Sequence, residues 1–183
     1  MTDEIDLDSE VPPLPLMRDG RTPFQKWVDG DGPRAKPRSI YVASSWRNPL
    51  QIGIVAALKA AGLDVYDFRN PAPDKSGFSW REIDPDWPLW TPKQWRDALR
   101  TTTAQAGYAL DKGGMDRADC GVLVLPCGRS AHLEAGYMGA QGKPVFTLAL
   151  DQVDPDLMNL LLGPPDFICV TMDELFDALA LPK

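Results

Sequence analysis

Two carboxylates and a phenol, Glu134, Asp111 and Tyr41, are the side chains of this sequence best suited to acid–base or nucleophilic work. Glu134 reads as a first-turn residue of a helix that starts at a crevice. The helix dipole favours negative charge there, so this carboxylate is expected to stay ionised and to serve as nucleophile or charge stabiliser. The plainer reading is an acid that only complements the dipole; if it is the catalytic group, Glu134→Ala is expected to abolish activity and leave stability nearly intact, as for a surface acid. Asp111 is the converse, read near the carboxyl end of the preceding helix. A carboxylate is disfavoured there, and a raised pKa suits a general acid; a fraying, solvated terminus is the alternative. Two carboxyl groups held at different pKa values around one crevice can work on a glycosidic bond. Tyr41 lies inside a strand. It is either a core aromatic or a buried phenol that needs a polar partner, which a carboxylate across the crevice would supply. Arg129 and Ser130 follow Gly128 at the helix start, where backbone N–H groups and a guanidinium suit a phosphate or carboxylate; a capping serine beside a solvated arginine is the alternative. His132 stands two residues from Glu134, faces elsewhere on a helix, and reads as structural or exposed.

The elements that must position these groups alternate. Strand-like runs occur at Ser39–Ser44, Asp64–Phe68, Gly121–Leu125, Pro144–Leu150 and Phe167–Val170. Between them the spacing predicts several helices. One opens at Asn48-Pro49 and stops at Gly62; one opens at Thr91-Pro92, runs past Leu110 and frays near Gly113-Gly114; another covers about 131–141. A short helix near 155–161 and a closing helix from Thr171 or Met172 to about Ala180 complete the set. Strands alternating with helices imply parallel pairing through right-handed crossovers. The expected fold is α/β, a five-stranded open sheet with helices on both faces and its ligand site beyond the carboxyl ends of the strands. Three loops converge there: Ser44-Ser45-Trp46-Arg47-Asn48, Asp67-Phe68-Arg69-Asn70 and Pro126 to Ser130. Candidate binding residues are Ser44, Trp46, Arg47, Asp67, Gly128, Arg129 and Ser130. Residues 69–90 read as a long loop. Its Trp80, Trp87 and Trp90, with Trp95 beyond, suit either a lid that stacks on a base or a small satellite core.

Composition narrows the function classes. The chain has 183 residues, 44% hydrophobic and 25% charged, as one ordinary domain with a tail would have. Residues 1–37, acidic and proline-rich, read as a disordered or loosely docked tail, with Phe24, Trp27 and Val28 as a docking patch; residues 38–183 form the α/β domain. With 19 basic and 26 acidic residues the net charge is −7, which argues against a nucleic acid polymer or an anionic membrane as partner. No run of 18 apolar residues suggests a membrane span, and the acidic start lacks the apolar core of a signal peptide. Three cysteines and one histidine, without a C-x-x-C, fit a reduced, cytoplasmic protein with no zinc site and no cofactor.

The same residues resemble the nucleoside 2-deoxyribosyltransferase family over roughly 39–160. Ile40-Tyr-Val-Ala-Ser-Ser-Trp46 is similar to the family's first strand and loop. Ala109-Leu-Asp111 with Arg117-Ala-Asp-Cys-Gly-Val-Leu-Val-Leu125 is similar to its helix-then-strand segment. Gly128-Arg-Ser-Ala-His-Leu-Glu-Ala-Gly-Tyr137, followed by Ala140-Gln-Gly-Lys-Pro144, is similar to its signature and is the most specific of the three. The resemblance implies a flavodoxin-like sandwich with strand order 2-1-3-4-5. It implies Glu134 as nucleophile at the anomeric carbon of a deoxyribonucleoside, Asp111 protonating or holding the departing base, and Tyr41 orienting Glu134. It places Asp156 where the family can supply a sugar-binding residue from a neighbouring subunit, and implies a homo-oligomer. Some members carry an acid where this chain has Gly128. Related N-glycosidases of nucleoside monophosphates grip a 5′-phosphate with that loop, so a nucleotide fits as well as a nucleoside. Two alternatives stand beside this reading: a TIR-like glycohydrolase of NAD, and a nucleotide-binding sensor without turnover.

Overall fold

The run Ser39-Ile-Tyr-Val-Ala43 is rich in β-branched and aromatic residues and forms β1, an inner strand paired on both sides. The structure, a computed structural model, describes Pro37 and residues 39–180. After β1 come α1 (Leu50–Ala60), β2 (Asp64–Asp67), α2 (Pro92–Ala98), α3 (Thr102–Arg117), β3 (Cys120–Val124), α4 (Arg129–Ala140), β4 (Val145–Leu148), β5 (Ile168–Cys169) and α5 (Met172–Ala178). Single 3₁₀ turns cover Trp80–Glu82, Trp87–Leu89, Leu157–Leu161 and Pro165–Phe167. The strands form one parallel sheet in the order β2-β1-β3-β4-β5. This is the open α/β sheet that the alternation implies, in the flavodoxin-like strand order that the resemblance implies.

Side-chain alternation assigns the two faces. Ile40, Val42, Val65, Val122, Val124, Phe146 and Leu148 pack with Ile54, Val55 and Leu58 of α1 and Leu175 of α5. Tyr41, Ala43, Leu123 and Val145 pack on the other face with Met115 of α3 and Ala131, Ala135 and Met138 of α4. β3 is buried along its whole length, as a strand covered on both faces must be. Local signals hold these elements in place. Asn48 Oδ1 accepts from Leu50 N at 2.9 Å, and its Nδ2 donates to Pro126 O at 3.1 Å, which ties the β1 loop to the β3 loop. Thr91 and Gln94 form a capping box at the start of α2.

Several boundaries differ from the sequence reading. The single helix expected from Thr91 past Leu110 is two: α2 ends at Ala98 and Thr101 caps α3, accepting from Ala104 N at 3.3 Å. α3 does not fray at Gly113-Gly114 but runs to Arg117. Gly114 lies flat against the Tyr66 ring, where a Cβ would come within 2.7 Å of ring carbons, so glycine there serves packing rather than termination. α4 starts at Arg129 rather than 131. The segment expected as a short helix at 155–161 is a 3₁₀ turn capped by Asp156. The tail expected over 1–37, with its Phe24, Trp27 and Val28, lies outside the described residues apart from Pro37. No helix among the described residues is long and apolar enough to cross a membrane.

Candidate active site

β1, β2, α3 and α4 bring one cluster of polar groups together on one sheet face. Tyr41 is fully buried and is the register partner of Tyr66 on β2. Because partners in a parallel pair share a face, the two rings stack, with centroids 5.1 Å apart and planes 10° from parallel. The Tyr66 hydroxyl donates to Asp111 Oδ1 at 2.8 Å. Gly121, the other register partner of Tyr41, has no side chain and leaves room for Met138 of α4, which fixes α4 close to the sheet. Glu134 and Asp111 both act electrostatically on Tyr41, so the three predicted residues are neighbours.

Their protonation departs from the sequence reading. Burial, then repulsion from Asp111, pushes Glu134 up to about 7, while the Tyr41 phenol acts in the opposite sense. Asp111 is also raised, by burial, against the pull of the Tyr66 hydroxyl. The expected split, with Glu134 held ionised by the helix start and Asp111 raised by a helix end, is therefore not what the fold produces. Gly128 caps α4 and Arg129 is its first residue, so Glu134 lies in the second turn, beyond the dipole's main reach. Asp111 lies well inside α3, not at its end. Desolvation governs both carboxyls. Glu134 is thus no surface acid, and the expectation that its loss leaves stability untouched falls with that. The Tyr41 hydroxyl is buried and makes no hydrogen bond of good geometry, although Glu134 is close enough to perturb it. An orphaned buried hydroxyl costs about 1–3 kcal/mol, so it marks a place where a small rearrangement is favoured.

One helical turn towards the start of α4 from Glu134, a hollow of about 540 Å³ opens at the carboxyl ends of β1 and β3. Ser44, Trp46, Arg47, Gly128, Arg129 and Ser130 line it, six of the seven loop residues predicted from sequence. Tyr41, Asp111 and Glu134 are not among its lining residues; Ala131, which lines it, packs in the same apolar cluster as Tyr41 and stands three residues before Glu134 on α4. Asp67 is the exception. Its carboxylate accepts from Gln51 Nε2 at 2.9 Å, Asn70 Nδ2 at 2.8 Å and Arg69 N at 3.1 Å. Burial alone would raise it, but these donors outweigh burial and leave it below the usual range. It alternates with Tyr66 along β2 and faces α1, so it braces the β2 end instead of meeting the hollow. Asp156 lines a separate hollow of about 490 Å³, with Arg129 and Met158. His132 is exposed, with Nδ1 3.1 Å from Gly128 O and 3.5 Å from the Cys127 sulfur. Burial, then the Glu134 charge, pushes the Cys127 thiol up to about 11, so it is no thiolate nucleophile at neutral pH.

Two contributors escaped the sequence reading. Tyr66 was legible in principle, since its alignment with Tyr41 follows from strand register. Arg69 was not. Its Nη2 donates to Trp46 O at 2.8 Å and its guanidinium lies over the Trp46 ring at 4.9 Å, so it shapes the β1 loop from β2. No protein-family model matches the chain, and no curated protein matches it. Among solved structures it is similar to the 2-deoxyribosyltransferase from the psychrotolerant bacterium Bacillus psychrosaccharolyticus, with 21% sequence identity, 66% of this chain and 78% of that chain covered, and a TM-score of 0.40.

Proposed function

We propose that this chain cleaves or transfers the N-glycosidic bond of a (deoxy)nucleoside or nucleoside monophosphate, with Glu134 as the nucleophile. The observation that carries the reading is the pair of electrostatically coupled, desolvated carboxyls, Glu134 and Asp111, set beside an unsatisfied phenol next to the strand-end hollow. A carboxyl raised to about 7 by burial and a neighbouring acid exchanges its proton near neutral pH, as an acid–base group must.

In this reading a Glu134 oxygen forms a bond to the anomeric carbon as the carbon–nitrogen bond to the base breaks, through an oxocarbenium-like transition state. The electron pair leaves with the base nitrogen, which needs a proton. Glu134 must give up its own proton to attack, and Asp111, raised by burial, is the neighbouring group able to carry one to the base. Tyr41 then donates to the Glu134 carboxylate and holds its free oxygen away from the sugar. A second base, or water, attacks the same carbon and releases Glu134, with the proton returning by the reverse route. Arg129 and Ser130 sit where a 5′-phosphate would be gripped.

The test is incubation of the chain with nucleosides, nucleoside monophosphates and NAD, followed by chromatography for released base. Base release from a nucleoside or monophosphate, lost in Glu134→Ala, supports the proposal. Exchange between two bases marks a transferase and free sugar a hydrolase. Nicotinamide release from NAD alone, or ligand-dependent stabilisation without product, overturns it.

A further inference from the structure

The aromatic segment after β2 makes the outer wall of the hollow. Gly77 N donates to Arg69 O at 2.8 Å, and a Cβ on Gly77 would fall 1.9 Å from Phe68 O and 2.9 Å from the Trp46 ring. Only glycine lets the chain pass so close to the end of β2. Phe78 then packs on Gly107 of α3, where a Cβ would come within 2.8 Å. Phe78 meets Trp80 edge-on at 4.8 Å, Trp80 meets Trp90 edge-on at 5.5 Å, and Trp90 Nε1 donates to Asp84 Oδ2 at 2.6 Å. A capping box on Ser79 and Glu82 fixes the turn between them. Edge-on aromatic contacts and local caps thus hold the segment in place although neither of its turns has a buried residue, and on it Phe78, Ser79, Arg81 and Trp87 line the hollow.

The charge of that lining is unlike that of the chain. The chain carries 26 acidic residues against 19 lysines and arginines, yet the hollow is lined by Arg47, Arg81 and Arg129 and by no acid. None of the three guanidinium groups has an acidic partner among the described residues, whereas Arg96 and Arg100 pair with Asp97. Three unpaired guanidiniums around one concavity repel one another and favour an anion between them. Serine hydroxyls from both sides, Ser45, Ser79 and Ser130, add donors, while Ser44 already donates to Val124 O at 3.1 Å; Trp46, Phe78 and Trp87 add apolar faces.

We infer that residues 78–87 are a substrate-selecting wall, on which Arg81 recognises a phosphate group of the substrate and Trp87 covers its planar part. The inference rests on the proposed reading of the site and narrows it to phosphate-bearing nucleosides. It also makes Arg81 and Trp87, on a segment far in sequence from both strand-end loops, determinants of that choice.

The test is calorimetric titration of the full chain and of Arg81→Gln, Arg81→Lys and Trp87→Ala with the four common deoxyribonucleoside 5′-monophosphates and the matching nucleosides. At least one monophosphate should bind the parent chain more than tenfold tighter than its nucleoside. Arg81→Gln should lower monophosphate affinity by roughly tenfold or more beyond any loss for the nucleoside, the size expected for a charge-assisted hydrogen bond. Arg81→Lys should recover part of it, and Trp87→Ala should weaken both ligands. Equal affinities for the two ligand classes, or equal losses in Arg81→Gln, overturn the inference. Base release that ignores Arg81 leaves the glycosidic proposal standing without this wall. Arg81-dependent binding without base release leaves the wall standing without that chemistry.

Discussion

Replacing Glu134 by glutamine should stabilise the protein, and do so increasingly as pH rises. Burial and Asp111 raise the Glu134 carboxyl from 4.5 to about 7. Between those values the folded chain holds a proton that the unfolded chain has lost, so stability falls as pH climbs through the window and stays low above it. At about 1.4 kcal/mol per pKa unit, the rise amounts to about 3 kcal/mol at most, less whatever solvent screening a partly buried group retains. Glu134→Gln keeps the shape and removes the titration. Urea unfolding of both proteins between about pH 5 and about pH 8 should show the variant gaining about 2–3 kcal/mol on the parent, nearly all of it below about pH 7.5. Parallel stability curves, or a variant that loses ground as pH rises, would refute the claim that desolvation governs this carboxyl. A stabilised but inactive variant is what an active-site carboxyl should give.

Other perturbations probe the rest of the site. Tyr66→Phe removes the donor to Asp111 and should cost about 1–2 kcal/mol in denaturant melts. It should also move Asp111 further up, visible as a shift in the pH dependence of base release, because that hydroxyl holds the carboxyl down. Gly114→Ala would stabilise an ordinary helix, yet here its Cβ meets the Tyr66 ring at 2.7 Å. A net loss of about 1–3 kcal/mol is expected by thermal melting, and a gain would show that the ring can step aside. Arg129→Ala should weaken a nucleoside monophosphate by far more than the matching nucleoside in titrations, whereas equal weakening would remove Arg129 from phosphate recognition.

The sheet was readable because its signals are local. The apolar run read at Gly121–Leu125 marks β3, Cys120–Val124, a strand covered on both sides, and Thr91, Asn48 and Thr171 carry the side chains that start helices. The nearness of Tyr41, Asp111 and Glu134 was expected from the resemblance and not from the residues alone; it rests on α3 and α4 packing on the sheet face that carries Tyr41. Their protonation was not readable. It depends on desolvation, and a two-residue error in where α4 begins moved Glu134 out of the first turn. Asp67 misled for a related reason. Its loop points to the strand ends, but side-chain alternation turns the carboxylate to Gln51 on the opposite face. The tryptophan-rich segment offered no period to follow; its fold depends on contacts of Gly77 and Gly107 with distant aromatic residues and backbone, which no local pattern encodes.

The most direct measurement of the central claim is the mass of the intact protein after brief mixing with a turned-over deoxynucleoside or monophosphate and acid quenching. An adduct of one sugar, or of one sugar phosphate from a monophosphate, without its base, should map by peptide fragmentation to Glu134 and be absent in Glu134→Gln. Base release that proceeds undiminished in Glu134→Gln, or a sugar adduct on any other residue, would contradict it.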